Sequence, residues 1–158
     1  MAINTSAKET INALNAIFQK HINDRICVLG TTCCGKSTLQ EQIPSTLDMD
    51  AVLWPQLTKD KEAYICQKPW TRKMGDFTRK IVKERVTIKA GQPIFSLILL
   101  DCEVIVYLDI SDELLADHCK KRGSAFQDAK NVKDAIENAL NNQRKNNDRE
   151  IYYLNVTE

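Results

Sequence analysis

Apolar residues recur at helical spacing over residues 5–20, with Ile11, Leu14, Ile17 and Phe18 on one face. The pattern then changes. RICVLG, 25–30, is a short apolar run without polar alternation, as expected of a strand covered on both faces of a parallel sheet. A helix is expected from about Lys36 to Gln42, with Pro44 ending it. STLDMD, 45–50, predicts a second short strand that ends in two aspartates. Residues 58–84 read as mostly helical, in two pieces broken near Pro69. EVIVYLDI, 103–110, predicts a later strand. The SDELLADHCKKRG that follows predicts a helix capped by Ser111 or Asp112 and stopped by Gly123. Residues 128–145 are helical by composition, and EIYYLNV, 150–156, predicts the last strand. This alternation predicts an α/β fold of three layers around a mostly parallel sheet of about five strands.

One region admits two readings. PIFSLILLD, 93–101, has the composition of a strand, yet only a short break separates it from the strand at 103–110. Adjacent parallel strands need a crossover of about a dozen residues. In one reading RVTIKA, 85–90, is the third strand and PIFSLILL is a short crossover helix with Pro93 in its first turn. In the other, 93–99 is itself a strand, antiparallel to 103–110 or bent away from it. The first reading is preferred.

Composition narrows the partners. The 158 residues suit one domain, 1–158, and no repeat, low-complexity tract or Pro/Gly-rich linker divides them. A formal net charge of +1 argues against broad binding to nucleic acid or to an anionic membrane. No apolar run approaches the roughly 20 residues that span a bilayer. The polar N-terminal stretch lacks the apolar core of a secretion signal, so a cytoplasmic location is expected. The six cysteines form no CxxC pair and have no zinc-like spacing to histidine, so reduced thiols are expected.

The chemistry begins where the first strand ends. Gly30-Thr31-Thr32-Cys33-Cys34-Gly35-Lys36-Ser37 fits G-x-x-x-x-G-K-[ST], between a buried-type strand and a helix. Gly30 lets the chain leave the strand in a tight turn, and Gly35 permits close approach of the backbone. Successive amide N–H groups of residues 30–38, Thr38 included, would cradle a phosphate. Lys36 would reach the β- and γ-phosphates, and Ser37 would offer its hydroxyl to Mg²⁺. The cysteines are small, so the cradle should survive them. Two readings of the thiols stand: inert small-residue filling, which is preferred, and thiols ionised by the helix start and Lys36, whose oxidation would block phosphate binding.

Together the phosphate loop, the DMD at 48–50 and DCEVIVYLDISDELLADHCKKRG resemble the P-loop small-molecule kinases, over residues 25–156. The resemblance implies a three-layer P-loop NTPase fold. It implies that Asp48 helps hold Mg²⁺ and orient the acceptor hydroxyl, and that Asp50 touches the acceptor. Arg122 falls where such kinases carry an arginine beside the LID, here about 119–130, and would neutralise the transferring phosphoryl group. Many of these kinases have glycine where this chain has Cys33. His118, four residues before Arg122, stands where an arginine is common. It reads more simply as a solvated helix residue.

The region of about 48–80 falls where those kinases build their acceptor site. Arg72 and Arg79 would hold an anionic acceptor there, and Trp70 would stack on a ring. Trp54 would line the same pocket or cover the core. Asp101 is a second candidate metal partner, at the end of an apolar run that mimics a Walker B strand.

The expectation is therefore an ATP- and Mg²⁺-dependent phosphotransferase acting on a small-molecule acceptor, with neither nucleic acid nor membrane as partner. A nucleoside or nucleotide kinase is the nearest alternative. A nucleotide-binding regulator with little turnover is an alternative of another class.

Overall fold

Strand β1, Ile26–Leu29, organises the structure, with every residue buried. A computed structural model describes residues 5–65, 71–146 and 149–157. On one side β1 pairs in parallel with β3, Ile94–Ser96, in the register Cys27 to Ile94. On the other it pairs in parallel with β4, Val104–Ile110, in the register Ile26 to Val104. The two-residue β2, Leu47–Asp48, lies outside β3, and β5, Glu150–Val156, pairs with β4 along seven residues. The sheet is five-stranded, all parallel, in the order β2-β3-β1-β4-β5.

Helices cover both faces. Ile26 and Val28 point to one face. There they meet Leu14, Ile17 and Phe18 of α1, Thr5–Lys20, together with Leu39 of α2, Lys36–Gln42, and Leu115 of α6, Asp112–Arg122. Cys27 and Leu29 point to the other face. They share a core with α3, Met49–Leu53, through Met49 and Leu53, with α5, Arg72–Arg85, through Ile81 and Val82, and with α7, Phe126–Asn146, through Ile136 and Leu140. The short α4, Lys59–Ile65, packs against α5, with Tyr64 edge-on to Phe77. Leu14 and Leu115 are fully enclosed, and cutting either to alanine would cost about 2–5 kcal/mol. Among the described residues no helix is long and apolar enough to cross a membrane.

Most expected elements stand where the pattern puts them. α2 has the expected bounds. α6 is capped by Ser111, whose Oγ accepts the Leu114 amide, and it ends at Gly123 in the left-handed region at φ 68°. The helical stretch 58–84 is two helices, α4 and α5. Pro69, the expected break, and Trp70 lie outside the described residues.

The third strand is a correction. Residues 85–90 are not in the sheet. Val86 and Ile88 are buried, but beyond α5 the chain forms only an isolated bridge between Lys89 and Gln92. The strand is Ile94–Ser96, parallel to β1, and no crossover helix follows it. Residues 97–103 run back in irregular conformation, with Leu97, Ile98, Leu99 and Leu100 packed on the α5/α7 face. A helix is unnecessary because the strands to be retraced are short. β3 has three residues and β1 four, so roughly 10–13 Å must be covered at about 3.3 Å per residue. Eight extended steps reach about 26 Å, enough to pass behind β1. The return segment itself supplies the apolar cover that a crossover helix would have given.

Candidate functional site

The sheet order reverses around β1. The chain leaves β1 toward β2 and β3 on one side and comes back to β4 and β5 on the other. Such a switch point leaves a crevice beyond the carboxyl ends of the strands, where α/β proteins place ligands. A cleft of about 630 Å³ opens there. Its walls come from the loop after β1, the start of α3, the end of β3 and the last turn of α6.

The loop's two glycines have different reasons. A Cβ on Gly30 would lie 2.5 Å from Cys34 Sγ, so the loop closes over Gly30 only without a side chain there. Gly35 has nothing within 4 Å of its Cβ position; its φ of 99° is what calls for glycine. Cys33 is also left-handed, at φ 67°, a conformation that costs a non-glycine residue about 1–2 kcal/mol. Such strain gathers at functional loops. A glycine at this position would avoid that cost.

Neighbours hold Cys33 in place. His118 Nδ1–H donates to the Cys33 carbonyl at 2.8 Å, tying α6 to the crest of the loop. Burial would raise the Cys33 pKa. Hydrogen bonds from Ser124, Cys119, Arg122 and Thr32 outweigh it, and the thiol is lowered. Cys119 is pushed up to about 11, by burial and then by Cys33.

The expected residues divide into three groups. Thr32, Cys33, Cys34, Gly35, Lys36, Ser37 and Thr38 all line the cleft. Lys36 folds back, its Nζ donating to the Thr31 carbonyl at 2.8 Å. Asp48, Asp50 and Arg122 line the same cleft, so residues 86 positions apart in sequence converge on the loop. Gly30 and Thr31 lie behind the wall. The buried Thr31 hydroxyl donates to the Ala129 carbonyl at 2.6 Å and fastens the loop to α7.

Arg72 and Arg79 are corrections. Arg72 is exposed at the start of α5 and lines none of the cavities described here. Arg79 pairs with Asp76 and faces a separate cavity between α5, α7 and the return segment. Helix periodicity turns it away from the cleft. Trp54 is half-buried in a single 3-10 turn, Trp54–Gln56, outside the cleft lining. Asp101 is no metal partner of this loop either. It stands before the amino end of β4, opposite the cleft, and pairs with Arg25 at 2.9 Å and Arg149 at 3.6 Å.

The two aspartates differ. Asp48 ends β2 and caps α3, its Oδ1 accepting the Asp50 amide at 3.1 Å. Asp50 lies in the first turn of α3. Part of its surface reaches solvent, but the cleft walls desolvate its carboxyl. That burial, and then the Asp48 charge, raise its pKa, against a smaller opposing pull from Lys36.

The chain matches no protein-family model and no curated protein. The site therefore rests on its own geometry.

Among the further residues that line the cleft are Thr10 of α1, Ser96 of β3, Lys121 and His118, the last of which reads in the sequence as a solvated helix residue. For His118 a signal existed. It lies four residues before Arg122 on α6, so both share one helix face. For Thr10 there was none, because nothing local in α1 says which turn will pass the loop. The segment of about 119–130 is the corner between α6 and α7, with Gly123 at its bend.

Proposed function

We propose that this chain is an ATP- and Mg²⁺-dependent phosphotransferase that phosphorylates a small-molecule acceptor. One observation carries the reading. The phosphate-loop residues, two carboxylates and an arginine free of carboxylate partners among the described residues face one cleft at the switch point of the sheet. Phosphoryl transfer is mainly positioning and charge stabilisation, and these are the parts it needs.

The donor set fits Mg²⁺, which takes hard oxygen ligands and commonly keeps one or two protein groups beside phosphates and water. Ser37 Oγ and Asp48 would hold it, and when bound it neutralises charge on the phosphate oxygens. Lys36 would exchange the Thr31 carbonyl for phosphate oxygen, trading a neutral acceptor for an anionic one. Arg122 would share the charge of the transferring group from the α6 side. Asp50 would position the acceptor hydroxyl, with its raised pKa suiting it to take a proton. The α6–α7 corner would close over the cleft to exclude water.

The test is ADP release from Mg-ATP against pooled metabolites, nucleosides and nucleotides, with Lys36→Ala and Asp48→Ala as controls. The reading requires that one pool stimulates release and that both variants abolish it. Tight ATP binding with no stimulating pool would replace the kinase with a nucleotide-binding regulator.

A further inference from the structure

A third cavity, of about 600 Å³, lies at the edge of the sheet between β4, β5 and α7. Asp109 of β4 and Asp134, Glu137, Asn138 and Asn141 of α7 face it. The α7 residues follow 134, 137, 138 and 141, which is one stripe of a helix. The sheet supplies the other wall. Tyr107 and Tyr153 are register partners on β4 and β5, their rings edge to face at 6.1 Å and 86°.

Tyr107 marks this cavity as more than an acidic surface. Its side chain is 2% exposed, and among the described residues its buried hydroxyl has no hydrogen-bond partner. Buried hydroxyls are rarely left so, and each such case asks for a missing group. Glu137, Asp109 and Asp134 line the same cavity as this hydroxyl. Burial, and then negative charge led by Glu137 and Asp109, raise its pKa. A cation drawn in by those carboxylates and able to bond the hydroxyl would satisfy it.

The carboxylates set the number of charges. Asp134 is engaged by the Lys130 ammonium at 3.0 Å. Among the described residues no ion pair reaches Asp109 or Glu137. Lys130 shows that an alkylammonium suits this surface, and two carboxylates remain for others. Among the described residues no three Asp, Glu, His or Cys side chains converge as they would around a metal ion. The carboxylate acceptors are spread along an open cavity with aromatic walls, an arrangement suited to an extended cation whose charges sit apart and whose chain lies on rings.

We propose that the β5/α7 cavity binds an organic diammonium cation of the alkyl diamine or polyamine class. One ammonium meets Glu137 and donates to the Tyr107 hydroxyl, the second meets Asp109, and the alkyl chain between them lies across Tyr153. The site is separate from the cleft at the carboxyl end of β1 and does not depend on the activity proposed for it.

Titration calorimetry of the full chain with 1,4-diaminobutane and with spermidine, at physiological ionic strength, tests this. Saturable one-to-one binding is expected. Glu137→Gln and Asp109→Asn, both conservative and near the surface, should each weaken it about tenfold or more, the loss of one charge-assisted contact. Tyr107→Phe should weaken it about threefold. Lys36→Ala should leave it unchanged, which separates this site from the other cleft. Heats that do not saturate, or binding that survives Glu137→Gln and Asp109→Asn together, would overturn the proposal. So would Ca²⁺ or Mg²⁺ occupying the site in a way that the diamine does not displace.

Discussion

The two ends of the sheet handle charge in opposite ways. At the amino end of the strands nearly every charge is matched. Arg25 bonds Glu103 through both backbone and side chain and Asp101 at 2.9 Å, while Arg149 reaches Asp101 and the Leu100 carbonyl. Nearby, His21 is held between Asp24 and the Tyr152–Glu150 pair, each contact at 2.8–3.3 Å. At the carboxyl end Asp112 is paired with Lys130 and Lys133, but the charges around β1 and β2 are left facing a cleft. Lys36 has a carbonyl and the Cys34 sulfur but no carboxylate, Arg122 has no carboxylate partner among the described residues, and Asp48 and Asp50 repel each other. Paired charges at one end fix the ends of strands. Unsatisfied charges at the other are what a polyanionic ligand and its counter-ion would satisfy. Matched charges and charges without carboxylate partners thus sit at opposite ends of one sheet.

The sharpest way to break that contrast is Lys36→Ala. It should lower acceptor-dependent ADP release by about 10³-fold or more, because one cation serving the transferring charge is lost. Its thermal stability should stay within about 0.5 kcal/mol of the parent, as for other surface changes. An equal fall in activity and stability would mean that Lys36 belongs to the scaffold.

Gly30→Ala comes next. Its Cβ would meet Cys34 Sγ at 2.5 Å, so destabilisation by about 1–3 kcal/mol is expected from overpacking. Adding Cys34→Ala should restore part of it. A double-mutant cycle in chemical denaturation that shows no coupling would sink the explanation.

At the other end, Arg25→Ala should cost about 1 kcal/mol. That estimate is kept low because its partners are largely solvated, and salt should shrink it further. Turnover should not change. The Arg25 contacts hold Glu103 below the usual carboxylate range, through the side-chain bond first and the backbone bond second. Stability from this pair is then present above the unfolded carboxylate pKa and fades as pH falls through the lowered one. The variant's deficit should disappear in acid.

Asp50→Asn has the opposite sign and the smallest size. A carboxyl raised in the fold stabilises below its unfolded pKa, and this contribution is lost as pH rises through the raised value. At neutral pH the variant should gain about 0.5 kcal/mol, a figure discounted for the exposed part of the side chain. It should also lose acceptor turnover. A melting-temperature difference that stays constant between acid and neutral pH would contradict this.

How much of this was legible in the sequence depended on where the information sat. The loop after β1, α2 and the caps of α6 are set by neighbours within a few residues, and Gly30, Gly35, Ser111 and Gly123 stand where expected. Asp48, Asp50 and Arg122 reach the cleft because they follow strand or helix ends at its rim. The misses are long-range. Val86 and Ile88 alternate like a strand but bury themselves without joining the sheet, and β3 was hidden because its return needs no helix. Arg79 was misdirected because composition does not state which way a helix face turns. Asp101 sits next to an apolar run, as a metal ligand would, yet its place at the amino end is set by Arg25, 76 residues away.

The central strand has a consequence for how the chain folds. β1 is complete by residue 29, but its partners start at residues 94 and 104. A four-residue apolar segment must therefore wait, during synthesis, until residues 94–96 exist before either edge is paired, and until 104–107 exist before both are. Loops of that length must close before any contact rewards them, so slow folding in the millisecond-to-second range is expected. Until then the exposed edges of β1 are the segment a holding chaperone would most readily engage.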